Sequence, residues 1–447
     1  MRPSMQIATA VAAALSAASG LAVAAPPTLA QAAAAPNTLY IAGSSAAKPG
    51  ILKALQINLC GGATNALTIN STGNTNFTAV SCTPTLAGAP AGVTTVYYRT
   101  EGGSVVGALP IVSGKAIATL DLTNAGGTIA CTATTCTAPV TGSSAANGIS
   151  DTFTGNVVKH TVQLGITDVE PGALTGNNYP SAYQTSAYGK ASTSQMQGLA
   201  YQTLFGQAFG VFVNTNSAAF SASEKNNGAT PGVLNISKAA LTNVLQGNVT
   251  NWNSVPDTSG NAVAGSQAIT IVNREQGSGS RASVDMFFTG DGCQSGATPI
   301  KEVNPTSDFF STGNVLTAAN TTPGSVTYAS IDNFNTTTFP NLVLVNIDGI
   351  SPSNLTAASG QYGLWYEATA VLSPTLSGNS LALANIIIGV LQDIASEPHL
   401  VDVIAIPGNS NNTAALPVSS TADGSPAIYV NAYTRAGVSC AAPSSAL

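Results

Sequence analysis

Charge is what this chain has least of. Only 7% of its 447 residues are charged, and 13 Lys and Arg stand against 19 Asp and Glu for a net charge of −6. That balance excludes the basic surface on which nucleic-acid binding depends. Histidine is nearly absent: there are two, His160 and His399, and neither lies in a segment with catalytic spacing. The six cysteines offer one close pair, Cys131 and Cys136, and C-x4-C without neighbouring histidines is poor spacing for zinc. No metal and no cofactor is therefore expected. Beyond the N-terminus, long apolar runs are missing too. The best candidate, Leu381 to Ile394, is interrupted by Asn385, Gly389 and Asp393 and is too short to cross a bilayer. It reads as a buried core helix, and the chain is not expected to be membrane-embedded.

What the chain does have begins with an address. Arg2 is followed by an Ala-rich apolar stretch and then Ala22-Val23-Ala24, a small-x-small cleavage pattern, so residues 1–25 are expected to be a signal peptide. No cysteine stands at the junction, which excludes a lipoprotein anchor and points to the periplasm or secretion. An even number of cysteines in an oxidising compartment favours disulfides, with 15 formal connectivities. Cys131 and Cys136 are spaced to staple a short hairpin and Cys60 with Cys82 to close a local loop, which leaves Cys293 with Cys440.

Strand-like runs alternate with helical ones, the pattern of α/β lobes with mainly parallel sheets. Residues 38–42 read as a strand, followed by Gly43-Ser44-Ser45 and a helix from Lys48 to Asn58. From about residue 61 to 155 the chain is rich in Thr, Gly, Ala and Ser, and β-rich insertions are expected there. Residues 162–168 form a strand ending at Asp168, and residues 209–214 a buried strand suited to cross between lobes. Ser237 to Gln246 is the clearest helix, with Ser237 as N-cap, an apolar stripe of Leu241, Val244 and Leu245, and Gly247 as the stop.

The most informative segment is Arg274 to Ala282, REQGSGSRA, directly after the apolar run 268–272. A strand, an arginine, a Gly-Ser-Gly-Ser turn and a helix bring first-turn N–H groups, two hydroxyls and a guanidinium to one point, the chemistry of an oxyanion cradle. Gly277 and Gly279 let an anion approach the backbone, Ser278 and Ser280 each donate an O–H, and Arg274 offers a planar fork. Charge-assisted hydrogen bonds of this kind contribute about 1.5–3 kcal/mol each when desolvated. The bland alternative is a plain Ser/Gly turn with Ser280 capping a helix.

Several segments, in order, resemble the periplasmic phosphate-binding proteins of ABC transporters, within the type II periplasmic binding protein superfamily. LNISKAALTNVLQGNVTNWNSV (residues 234–255) is similar to that family's segment ending in Gly-x-x-x-x-Trp, and ITIVNREQGSGSRA to its strand, arginine and Ser-Gly-Thr anion loop. IAGSSAAKPGI (41–51) resembles its first anion loop, GITDVEP (165–171) its strand ending at a ligand-facing Asp, and PGSVTYAS (323–330) its return strand. The resemblance implies a two-lobed fold with a hinge: a first lobe over 36–208, a second over 209–328 and a return to the first over 329–447. It implies an extracytoplasmic receptor, not an enzyme, that captures inorganic phosphate or a similar oxyanion as a monomer and hands it to an ABC permease. Carried over by residue, it places Ser44, Ser45, Ser104, Asp168, Arg274, Ser278, Gly279 and Ser280 on the anion, Ser280 standing where the family often has Thr. The first loop departs from the family's pattern, with Ala46, Ala47 and Lys48 where a Thr and an aromatic are usual; Lys48 is expected to reach for solvent.

Asp168 gives the resemblance a mechanism, since a carboxylate beside a bound anion repels it unless the anion has a proton to share. Hydrogen phosphate has one at neutral pH and sulfate does not. Catalysis is disfavoured: Ser278 lacks the fifth-position Gly of a Gly-x-Ser-x-Gly elbow, because Arg281 stands there. The remaining rivals are a secreted structural or adhesive protein that keeps the fold without transport, and a receptor for molybdate or tungstate, for which Asp168 would be unwelcome.

Overall fold

The computed structural model describes residues 25–142, 151–179, 188–226, 232–301, 309–394, 400, 403–407 and 429–445. The expected signal peptide and His399 fall outside the described residues. Among these, nine strands organise the fold: β1 (Asn37–Gly43), β2 (Leu67–Gly73), β3 (Phe77–Cys82), β4 (Thr94–Arg99), β5 (Leu164–Thr167), β6 (Gln202–Asn214), β7 (Ser325–Ser330), β8 (Leu342–Ile347) and β9 (Trp365–Leu372). The helices that matter to the site are α1 (Gly103–Ser113), α2 (Lys238–Leu245), α3 (Gly279–Phe288), α4 (Thr312–Thr321) and α5 (Gly378–Gln392).

β6 is the strand that makes two lobes out of one chain. Its first half, from Gln202 to Ala208, runs antiparallel to β9 in the first lobe's sheet. Its second half, from Phe209 onward, pairs antiparallel with β7 and then β8 in the second. The sheets are mixed α/β sheets. Parallel pairs join β1 to β4 and β5, Leu234–Ile236 to β8, and Thr270–Ile271 to β7. The crossover strands β6 and β9 pair antiparallel.

The chain rejoins the first sheet later than the sequence suggests. Ser325–Ser330 belongs to the second lobe's sheet, as does Leu342–Ile347, and β9 is the strand that pairs with β5 of the first. The run PGSVTYAS was read as the return because an isolated apolar strand carries no mark of which sheet it will join. The boundary expected at residue 328 therefore moves toward residue 365.

Residues 67–161 are β-rich, as composition predicts. β2 and β3 extend the first sheet beyond β4, and Thr135–Thr141 adds to β2 in parallel. α1 packs on β1 and β5. It approaches β1 and β5 backbone to backbone because three glycines meet there. A Cβ on Gly43 would sit 1.9 Å from the Ile166 carbonyl oxygen, and one on Gly165 would sit 1.9 Å from that of Gly107. No larger residue fits without separating the layers.

Local signals elsewhere act as their chemistry dictates. Ser237 Oγ accepts from the Ala240 N–H at 3.1 Å, opening α2, and Gly247 follows its end at φ +74°. Trp252 is fully buried against Phe220 and donates Nε1–H to the Gly324 carbonyl at 2.8 Å, which satisfies the indole's one polar atom inside an apolar core. α5 buries Leu383, Ala384, Ile387, Ile388 and Leu391, one face of a 3.6-residue period. The three disulfides are Cys60–Cys82, Cys131–Cys136 and Cys293–Cys440. No helix among the described residues is long and apolar enough to cross a membrane.

Candidate functional site

Four chain segments end at one buried spot between the lobes. From the first lobe come the turn after β1, with Ser44 and Ser45, the N-terminus of α1, with Ser104, and the end of β5, with Asp168. From the second come Arg274 and the N-terminus of α3. All eight residues singled out from the sequence are brought together here, and all are buried.

Asp168 is the centre of the first-lobe half. Ser44 Oγ donates to its Oδ1, its own N–H donates to Ser104 Oγ at 3.0 Å, and Ser280 Oγ reaches its Oδ2 from the opposite lobe at 3.4 Å. Burial pushes the Asp168 pKa up, against the opposing pull of the Ser44 hydrogen bond and the Arg274 charge. The carboxylate thus sits where its ionised form is poorly solvated and every nearby group is a donor. Ser44 is itself fixed: its N–H donates to the Ile166 carbonyl at 2.8 Å, its Oγ accepts from the Ala47 N–H at 2.9 Å, and the Tyr98 hydroxyl donates to its carbonyl.

The second-lobe half is built around Arg274. Its Nε donates to the Phe309 carbonyl at 3.0 Å and approaches Glu275 Oε2 at 3.3 Å; Nη2 reaches Glu275 Oε1 at 3.1 Å and Nη1 reaches Thr312 Oγ1 at 3.1 Å. A guanidinium carries five N–H donors. Nε–H and one N–H on each terminal nitrogen are engaged here, so each terminal nitrogen keeps one more to give. Burial raises the pKa of Glu275, countered by the Arg274 charge. Ser278 Oγ accepts from the Arg281 N–H at 3.4 Å as the N-cap of α3. The cap is thus Ser278 and not Ser280, whose hydroxyl turns to Asp168 instead, while the first-turn N–H groups of Gly279 and Ser280 have no intrahelical acceptor.

The two halves touch. A Cβ on Gly279 would lie 2.4 Å from Ser104 Oγ and 2.7 Å from the Asp168 Cβ, and the Val105 N–H donates to the Gly277 carbonyl at 2.9 Å. Ser45 Oγ lies 3.0 Å from Thr312 Oγ1 and accepts from the Thr312 N–H at 3.0 Å. Only glycine at position 279 permits this approach, so the described geometry is a closed one.

Sequence reasoning missed Glu275, Thr312 and Tyr98. Glu275 stood inside the quoted motif, and a carboxylate adjacent to a buried arginine is a signal that could have been used. Thr312 and Tyr98 carry no local signal, since tertiary packing alone brings them to the cleft. Lys48 is half-buried, with its Nζ donating to the Thr75 carbonyl at 3.2 Å in an exposed hydrogen bond, and burial lowers its pKa to about 8. His160 stacks half-buried on Tyr40 at 3.9 Å between ring centroids.

Part of the chain is similar in sequence to known proteins. Residues 181–378 match the PBP superfamily domain, a stretch that holds the crossover strand, Arg274, the α3 N-terminus and Thr312. Among curated proteins, the phosphate-binding protein PstS of Bacillus subtilis (strain 168) is 30% identical over 134 residues, which is 30% of this chain and 38% of that protein. The chain therefore matches well under half the length of that relative. Among solved structures, one from Clostridium perfringens with bound phosphate covers 83% of this chain and 99% of its own at 13% identity and a TM-score of 0.43. A phosphate-binding protein from Stenotrophomonas maltophilia covers 80% and 82% at 13% identity and a TM-score of 0.39.

Proposed function

We propose that this protein is an extracytoplasmic solute-binding protein that closes its two lobes on inorganic phosphate and delivers it to an ABC-type permease. The observation that carries the reading is the position of Asp168. A buried carboxylate, ringed by Ser44, Ser104 and Ser280 and facing the helix N-terminus beside Arg274, is of use only to an anion that brings a proton.

The charge count supports this. Asp168, Glu275 and Asp285 give three buried carboxylates against the two buried guanidiniums of Arg274 and Arg281, so the cradle has no surplus positive charge with which to hold a fully deprotonated oxyanion. Hydrogen phosphate donates its O–H to Asp168 and accepts from Arg274, from the Gly279 and Ser280 N–H groups and from the Ser104 hydroxyl, whose proton is not given to Asp168. Sulfate meets the same carboxylate with a lone pair, a mismatch that costs on the order of 1–3 kcal/mol or more. The family match and the PstS likeness point the same way, as do three disulfides, which suit an oxidising compartment. Binding rather than catalysis is the reading for the same site: it holds donors and one proton acceptor, with no activated nucleophile.

Isothermal titration of the phosphate-stripped mature chain tests it. Phosphate should saturate one site, with sulfate and molybdate at least a hundredfold weaker. No heat with any oxyanion would move the reading to the structural or adhesive alternative.

A further inference from the structure

One four-residue segment, Phe309–Thr312, touches both the arginine and the opposite lobe, each at two points. On its own lobe, the Phe309 carbonyl accepts from Arg274 Nε at 3.0 Å and Thr312 Oγ1 accepts from Arg274 Nη1 at 3.1 Å. Across the cleft, the Phe310 carbonyl accepts from the Gly102 N–H at 3.2 Å, and Thr312 meets Ser45 through both its N–H and its hydroxyl, each at 3.0 Å. Thr312 is fully buried, and it opens α4, which is packed on the second sheet through Val315, Leu316 and Ala319.

From this we infer that Thr312 is a positioning residue that couples the aim of the Arg274 guanidinium to closure of the lobes. Its hydroxyl has one proton and two lone pairs. Accepting from Arg274 leaves it the proton to give to Ser45 Oγ, which in turn accepts the Thr312 N–H. Closure on the first-lobe loop therefore completes the hydrogen bonding of the group that orients the arginine, and opening removes it. Ser45 acts in this scheme through Thr312 rather than by contact with the anion. Glu275 holds the other edge of the guanidinium in both states, because it belongs to the same lobe.

The inference rests on the phosphate reading for its affinity arm and on geometry alone for its conformational arm. Thr312→Val keeps shape and burial and deletes the hydroxyl; Ser45→Ala deletes the partner from the other lobe. Hydrogen bonds to charged groups imply about a tenfold rise in phosphate Kd for Thr312→Val, carried mainly by faster release. Ser45→Ala should cost a similar factor, the double variant about tenfold rather than about a hundredfold, and Thr312→Ser should restore binding to within about threefold. Small-angle scattering of the same proteins, with and without phosphate, should show Thr312→Val shifted toward an open form relative to wild type. Wild-type affinity in Thr312→Val, additive losses in the double variant, or an unchanged scattering profile overturns the proposal. If wild type itself gives no heat with phosphate, the phosphate reading falls, and the scattering comparison still decides the role of Thr312.

Discussion

The two loops that meet in the cleft, proposed here to hold an anion, are built in opposite ways. In the second lobe, Arg274 is held by Phe309, Glu275 and Thr312, all on its own side, and α3 is capped by its own Ser278. In the first lobe, Ser44 and Ser45 are held by partners distant in sequence, Asp168 and Thr312, the second of them across the cleft. The helix after the first loop, Lys48–Lys53, has no side-chain cap and turns into a wider helical segment at Ala54. The second lobe thus presents a largely pre-formed donor set, completed on closure only where Thr312 meets Ser45, and the first presents a carboxylate whose surroundings are assembled by closure. On the proposed reading the pre-organised donors would give affinity at little cost in ordering, and the carboxylate selection.

The largest effect is expected from breaking the pre-formed side. Arg274→Ala should weaken phosphate by a hundredfold or more, since truncating one member of a buried charge pair costs about 2–5 kcal/mol. It should also lower the thermal midpoint, because Glu275 is left buried without its counter-charge. Titration and a melt of the same sample check both; retained affinity would take the arginine out of the cradle. Gly279→Ala should come next. Its Cβ cannot be placed without moving Ser104 or Asp168, so the lobes should stay apart and phosphate should weaken roughly ten- to a hundredfold, in keeping with overpacking costs of about 1–3 kcal/mol. Secondary structure should be unchanged, since alanine favours a helix more than glycine does.

A smaller effect sharpens the acceptor side. The pKa of Asp168 is raised in the folded protein by burial, so its ionised form opposes folding at neutral pH. That cost is relieved as pH falls through the raised pKa toward the ordinary carboxylate range. Asp168→Asn should therefore melt higher than wild type at pH 7 in the absence of ligand, and the gap should close near pH 4; melts across that range decide it. Smallest of all is Lys48→Met. With its ammonium on the Thr75 carbonyl, Lys48 should change phosphate affinity by less than about threefold, close to a surface charge effect. A tenfold loss would put a positive charge into the first loop after all.

The same contrast explains what could be read from the sequence. The second-lobe loop is local: strand, arginine, turn, cap and helix follow one another within about fifteen residues, so REQGSGSRA showed both its fold and its chemistry. Ser237 and Gly247 mark α2 for the same reason. The first-lobe half is assembled from segments that meet Asp168 from 64 and 124 residues away in sequence, and only the family resemblance brought Ser44, Ser104 and Asp168 into one site before the structure did. Thr312 escaped both routes, being an ordinary threonine at a helix start whose partners are set by packing. The return to the first sheet was misplaced because strand patterns show burial and period, not the sheet they will join.

The central claim is that Asp168 selects the anion by its proton. Its most direct test is the ratio of phosphate to sulfate affinity, measured by titration at pH 7 in wild type and in Asp168→Asn. The account predicts a ratio above a hundred in wild type that falls at least tenfold in the variant, with sulfate binding strengthened in absolute terms. An unchanged ratio, or sulfate no tighter in Asp168→Asn than in wild type, would contradict it.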